Sequence, residues 1–265
     1  MTESVPILMY HAVTEHPPAQ TRRLSVTPRS LEEQLAFLVD HGFTGLTFSE
    51  LADAFRAGGI LPKRPVVLTF DDGYADFGRE VWPILRRYEF PATVFVTSGW
   101  ISDAGPHAAG TPLDRMLSWA QIRELAAANI EIGAHSHSHP ELDQLSGAAL
   151  CRELGDSRAL LEEGIGAPVR TLAYPYGYSS KRVRLAARAA GYRCAAAVRN
   201  VRATPSDDLF MLPRLTIRRS TDQTAFAAVV TGSDGPVLRH DRLLTAGWAS
   251  VRRARRAAKW IRGYA

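Results

Sequence analysis

Short apolar runs rich in β-branched residues alternate with helix-length segments through most of this 265-residue chain, and that alternation restricts the fold more than any other feature. The runs fall at residues 5–10, 43–48, 65–70, 92–96, 130–133, 169–174, 194–198 and 212–217, each of strand length and most of them flanked by Gly, Pro or polar residues. Between them lie helical signals. Thr27 caps a segment with Pro28 at its first position and Leu31, Leu35 and Leu38 on one face, stopped by Gly42. Ser49 opens another to about Ala57, and a third runs from Val81 to Tyr88. Ser118 with Gln121 three residues on is a capping-box start. Residues 147–163 and 181–190 complete the set. Strand and helix taking turns from the first strand onward imply parallel strands joined by right-handed crossovers, so the expected class is α/β and the expected architecture a (β/α) barrel.

The strand at 65–70 ends in Asp71-Asp72-Gly73-Tyr74 and so carries two adjacent carboxylates at its carboxyl end. In a chain of period two they point to opposite sides, leaving one to hold a cation and the other to move a proton. Nitrogen ligands are available in Glu131-Ile132-Gly133-Ala134-His135-Ser136-His137-Ser138-His139. Residues 98–117 lose periodicity and form a loop longer than most connections, expected to make a groove rim carrying Trp100.

The Thr69-Phe70-Asp71-Asp72-Gly73-Tyr74 block, the His135-Ser136-x-x-His139 block and Leu172-Ala173-Tyr174-Pro175-Tyr176-Gly177 follow one another after an opening Pro6-Ile7-Leu8-Met9-Tyr10-His11. In that order and spacing they resemble the polysaccharide deacetylase family with its NodB homology domain, over roughly residues 5–220. The resemblance implies a distorted, seven-stranded barrel in residues 1–232. It implies a divalent ion, zinc first with cobalt or nickel as alternatives, held by Asp72, His135 and His139 while His137 points away. It makes Asp71 the catalytic base and the backbone N–H of Tyr176 the donor to a developing oxyanion. The implied substrate is an N-acetylated amino sugar or glycan of the N-acetylglucosamine type, hydrolysed to release acetate.

Two departures from the family pattern shape the rest of the site. Leu215-Thr216-Ile217 stands where a late Leu-x-His block would be, so His11, at the end of the first strand, becomes the candidate general acid. The third block retains Arg170 but has Ala173 in place of its second arginine, and Arg214 is the candidate replacement beside Asp71. Tyr74, Trp100, Tyr176 and Tyr178 are candidates for a glycan groove. Two alternatives stay open: an amide or ring-opening C–N hydrolase acting on a non-sugar substrate, and a catalytically silent carbohydrate-binding barrel.

The net charge of +5 is concentrated at one end. Residues 236–265 hold eight Arg and Lys against one Asp, which is +7, so the remaining chain is about −2 and the basic balance gives no reason to expect nucleic-acid binding. Residues 233–265 read as a Gly/Pro joint and a basic amphipathic tail, expected to dock on the barrel or to meet an anionic membrane or a partner. No run approaches the ~20 apolar residues of a membrane span and no signal peptide is visible at the start, so a cytoplasmic location with peripheral membrane contact is expected. Cys151 and Cys194 read as two unpaired thiols packed as small apolar side chains.

Overall fold

The computed structural model describes residues 4–233, Asn129 excepted. Eight parallel strands alternate with seven helices among these residues: β1 (Ile7–Tyr10), α1 (Pro28–Asp40), β2 (Thr44–Leu46), α2 (Phe48–Ala57), β3 (Pro65–Phe70), α3 (Trp82–Arg87), β4 (Thr93–Val96), α4 (Trp119–Ala127), β5 (Glu131–Ala134), α5 (Gly147–Ile165), β6 (Thr171–Ala173), α6 (Lys181–Ala189), β7 (Cys194–Val198), β8 (Leu212–Thr216) and α7 (Gln223–Thr231). The ring closes because β1 pairs with β8 on one edge, Leu8 opposite Leu215, and with β3 on the other, Ile7 opposite Val67. Seven strands make that ring. The eighth, β2, shares an edge of β3 with β4: it covers the first half (Thr44 opposite Pro65, Leu46 opposite Val67), and β4 takes over from Thr69 opposite Thr93. The barrel is therefore the distorted (β/α) form with seven strands.

Period-two alternation sorts each strand into two cores. Val66, Leu68, Leu172 and Leu215 face the helices, whereas Ile7, Val67, Phe95, Ala173, Ala196 and Leu212 pack together inside the ring. Phe48, the first residue of α2, closes the amino-terminal mouth with its ring edge-on to Phe95 at 5.5 Å. Gly133 is required by the same packing. A Cβ there would lie 2.5 Å from the Phe95 ring and 2.6 Å from Thr171 Oγ1.

Helix starts follow the caps. Thr27 accepts from Ser30 N–H ahead of α1, and Ser118 with Gln121 forms the expected capping box. The second helix begins one residue earlier than expected, because Thr47 and Glu50 make a reciprocal capping box and end the strand at Leu46. The third is preceded by a wide π-type turn, Phe77–Val81, next to Pro83, which has no N–H to continue a regular ladder. α7 has no counterpart in the sequence reading. It is capped by Asp222, ends on left-handed Gly232 and sets Phe226 edge-on to Phe37 of α1 at 6.0 Å.

Both cysteines are free, but only Cys194 is buried; Cys151 is exposed on α5. No helix among the described residues is long and apolar enough to cross a membrane. The basic tail expected at 233–265 lies outside the described residues but for Ser233.

Candidate metal centre and catalytic cleft

The inward register of the strands delivers the site. In β3 the inward series is Val67, Thr69 and then Asp71 just past the strand; in β5 it is Glu131, Gly133 and then His135; in β8 it includes Leu212 and Arg214. Asp71 and Arg214 thus meet inside the barrel although they are 143 residues apart. Arg214 Nη1 donates to Asp71 Oδ1 at 2.6 Å and Nη2 to Oδ2 at 2.7 Å, a bidentate pair, with Nη1 also donating to Thr69 Oγ1 at 3.1 Å. Arg214 is 0% exposed and Asp71 3%. Burial pushes the Asp71 carboxyl up, but Arg214 and His135 outweigh it and hold the group below the ordinary carboxylate range.

The expectation that Asp71 and Asp72 face opposite sides does not hold. The strand ends at Phe70, and Asp72 (φ 75°) and Gly73 (φ 85°) are both left-handed, so the chain turns over the mouth and brings the second carboxylate back beside the first. His135 Nε2 lies 4.0 Å from Asp71 Oδ2 and 3.4 Å from Asp72 Oδ1. His139 Nε2 is also 3.4 Å from that Asp72 oxygen.

The donor set fits a cation. His135 Nδ1 lies 2.8 Å from the Ala173 carbonyl, which can only accept, so the ring proton sits on Nδ1 and Nε2 presents a lone pair to the cluster. Asp72 Oδ1 is buried and no hydrogen bond satisfies it. One ligand atom from each of Asp72, His135 and His139 lies within 4.8 Å of the other two. Two imidazole nitrogens and a carboxylate oxygen converging in a buried mouth can hold a cation between them, and two N and one O are an ordinary set for zinc. Burial together with neighbouring His135 lowers His139 to about 4, so its ring is neutral and able to ligate at neutral pH. Burial would lower His135 as well, but Asp71 and Asp72 outweigh it and raise it. His137 turns aside, its Nδ1 2.9 Å from Ser98 Oγ.

His11 follows β1 and lines the same cleft, a cavity of about 250 Å³ shared with Asp71, Asp72, Tyr176, Thr216 and Arg218. Its Nδ1 is buried without a hydrogen-bond partner. Burial lowers its pKa although Asp72 and Asp71 act the other way. Tyr176 is the central residue of a tight turn after β6, left-handed at φ 60°. The turn's own bonds run from Gly177 N–H to the Tyr174 carbonyl and from Tyr178 N–H to the Pro175 carbonyl, and neither uses the Tyr176 N–H. The Tyr176 ring, 53% exposed, stands edge-on to His139 at 4.8 Å and stacks on Tyr178 at 5.7 Å.

Arg170 is not brought to this mouth. It precedes β6 at the opposite end of the barrel, exposed, its carbonyl taken by Arg193 N–H, because a strand three residues long separates it from the carboxyl-terminal rim. Trp100 is not an open rim residue either: it is buried, its ring 4.9 Å from that of His139. Tyr74 is buried beneath the same loop. One further residue, beside the cleft, has no counterpart in the sequence reading. Asp76 is buried four positions after Asp72, accepts the Val13 N–H at 2.8 Å, and so ties down the segment that follows His11. Burial pushes its carboxyl up to about 7. The only signal in the sequence is one more acid just beyond the Asp-Asp-Gly turn.

A family model for polysaccharide deacetylases matches residues 58–195, just over half of the chain. The poly-beta-1,6-N-acetyl-D-glucosamine N-deacetylase of Staphylococcus aureus is 26% identical over 225 residues, covering 82% of this chain and 74% of that protein. The protein of the same name from Escherichia coli is 34% identical over 139 residues, which is 50% of this chain and 20% of the relative's length. Among solved structures, Streptococcus pyogenes deacetylase PplD in complex with acetate aligns with a TM-score of 0.78 at 26% identity, over 87% of this chain and 99% of that one.

Proposed function

Since the chain belongs to the polysaccharide deacetylase family, we propose that it is a metal-dependent N-deacetylase that removes acetyl groups from N-acetylglucosamine-type residues of a glycan and releases acetate. One observation carries the reading: Asp72 Oδ1, buried and unsatisfied, lies 3.4 Å from both His135 Nε2 and His139 Nε2, with the carboxylate of Asp71 held alongside by Arg214. Relatives named for N-acetylglucosamine polymers support the substrate class.

Asp72, His135 and His139 would hold the ion, zinc by preference for this N₂O set with cobalt or nickel able to replace it. Bound there, it would supply Lewis acidity, polarising the amide carbonyl and bringing the pKa of a water down towards ~7. The remaining roles belong to the chain. Asp71, kept ionised by Arg214, takes the proton of the attacking water as the new C–O bond forms. The Tyr176 N–H, left unused by its turn, donates to the amide oxygen as that atom gains charge. His11 gives a proton to the amine as the C–N bond breaks; burial lowers its pKa, while Asp72 and Asp71 nearby act to keep the proton on the ring. Tyr176 and Tyr178 offer an exposed aromatic surface at the rim for the apolar face of a sugar.

Acetate release from N-acetylglucosamine oligomers tests the reading. Activity should vanish with chelator, return with zinc and be lost in Asp71→Asn. A zinc-loaded protein that releases no acetate from a broad panel of acetylated glycans would refute it in favour of C–N hydrolysis on a non-sugar substrate.

A further inference from the structure

We propose that one face of α5, through Glu153 and Ser157, is the template that holds the histidine loop in ligating shape, so that metal affinity is set by a helix outside the barrel as well as by the ligands themselves. The proposal rests on the metal-site reading above and adds two positioning residues to it.

The loop needs an external hold. Beyond His135, whose N–H still reaches the Val96 carbonyl at 2.8 Å, the strand ladder stops, and both Ser136 (φ 65°) and His139 (φ 62°) adopt the left-handed conformation that side chains other than glycine's disfavour. Glu153 supplies the hold from one side. A single oxygen, Oε2, accepts the N–H of both His137 and Ser138 at 2.9 Å, and Oε1 accepts the Ser138 hydroxyl. Ser157, one helical turn on and therefore on the same face, is buried and donates to the Ser136 carbonyl at 3.0 Å. Inside the loop, Ser136 Oγ accepts the His139 N–H at 3.1 Å, so the bond from Ser157 reaches the second ligand through one intervening residue.

The turn after β4 holds the loop as well. Ser98 N–H donates to the Ser136 carbonyl at 3.2 Å and Gly99 N–H to the His137 carbonyl at 2.8 Å. The approach is so close that a Cβ on Gly99 would lie 2.6 Å from the His137 oxygen. The loop is thus clamped between two backbone donors and a carboxylate that accepts two successive N–H groups, the charge-assisted form of the bond. With its shape fixed in advance, the loop spends no binding energy on becoming ordered when the ion arrives.

The test uses the full chain, stripped of metal and titrated with zinc against a chromophoric competing chelator, together with the visible spectrum of the cobalt-loaded protein. Glu153→Ala should weaken zinc binding by roughly 10–100-fold, the usual effect of losing a group that orients ligands. Its cobalt spectrum should change, while kcat at saturating zinc stays within a few-fold of the parent. Glu153→Gln keeps an oxygen able to accept both N–H groups and should restore most of the affinity. Ser157→Ala should weaken binding less than Glu153→Ala and keeps the test available if the latter fails to fold. Leu154→Ala, which removes a buried apolar side chain from the same helix and leaves the hydrogen-bonding groups of Glu153 and Ser157 in place, should lower thermal stability and leave zinc affinity unchanged. Parent-like zinc affinity in both Glu153→Ala and Ser157→Ala, or an equal loss in Leu154→Ala, overturns the proposal. A parent protein that binds no zinc overturns the metal-site reading itself.

Discussion

Replacing Arg214 with methionine should destabilise the protein and shift its pH profile together, because one guanidinium serves both the fold and the base. Arg214 and Asp71 are 0% and 3% exposed and share two short, parallel hydrogen bonds, so removing the cation leaves a buried carboxylate without its bidentate partner. Breaking one partner of such a pair costs about 3–5 kcal/mol, and in a domain of this size that lowers Tm by roughly 6–20 °C. Burial then dominates the Asp71 carboxyl, which moves from below the ordinary carboxylate range to above it. The base must be ionised to act, so the acid limb of kcat/KM should move to higher pH by roughly 1–3 units, the range by which a neighbouring Arg depresses an Asp. Urea unfolding followed by tryptophan fluorescence gives the stability, and acetate release across pH gives the limb. The double variant Asp71→Asn/Arg214→Met buries no charge and should recover much of the lost stability with none of the activity, a coupling of more than about 2 kcal/mol in the cycle. Arg214→Lys should not rescue, since an ammonium cannot make the two parallel bonds. If Arg214→Met unfolds at the parental urea concentration, or the double variant loses the sum of the two single losses, the ion-pair reasoning fails.

Asp76, raised to about 7 by burial, holds its proton in the folded state at pH values where the unfolded chain has released it; stability from this group is therefore greatest at low pH and declines as pH climbs from about 4 to about 7. Asp76→Asn keeps an acceptor for the Val13 N–H without titrating, so its stability relative to the parent should rise between pH 5 and pH 8 by up to about 3 kcal/mol, and a difference independent of pH would refute the assignment. His11→Gln should lower kcat by about 10²–10⁴ and abolish the basic limb of the pH profile while zinc still binds; retention of that limb would remove His11 from the acid role. Tyr176→Gly keeps the backbone N–H and accepts φ 60° without strain, so KM should rise several-fold with kcat preserved, whereas loss of kcat at unchanged KM would show that the ring rather than the N–H serves the reacting centre.

The order of elements, the parallel connections and the chemical types at the site are local properties, and the sequence by itself determined them: β-branched runs and caps fix where strands and helices start, and Asp72, His135 and His139 follow strands whose ends were readable. Even locally, a capping box could displace a boundary, as Thr47 and Glu50 did at α2. What the tertiary structure decided is who meets whom across the ring. Period two states that Arg214 faces inward, but only the closure of β8 onto β1 and β1 onto β3 sets it against Asp71. Arg170 stays at the far mouth because it comes before the three-residue β6 rather than after it. Two left-handed residues after β3, not the strand's alternation, bring both carboxylates to one side, and the contact between α5 and the histidine loop joins residues that no local pattern connects. Register around a closed barrel is a long-range property, set by packing and hydrogen bonding between strands far apart in the chain, and a linear pattern does not contain it.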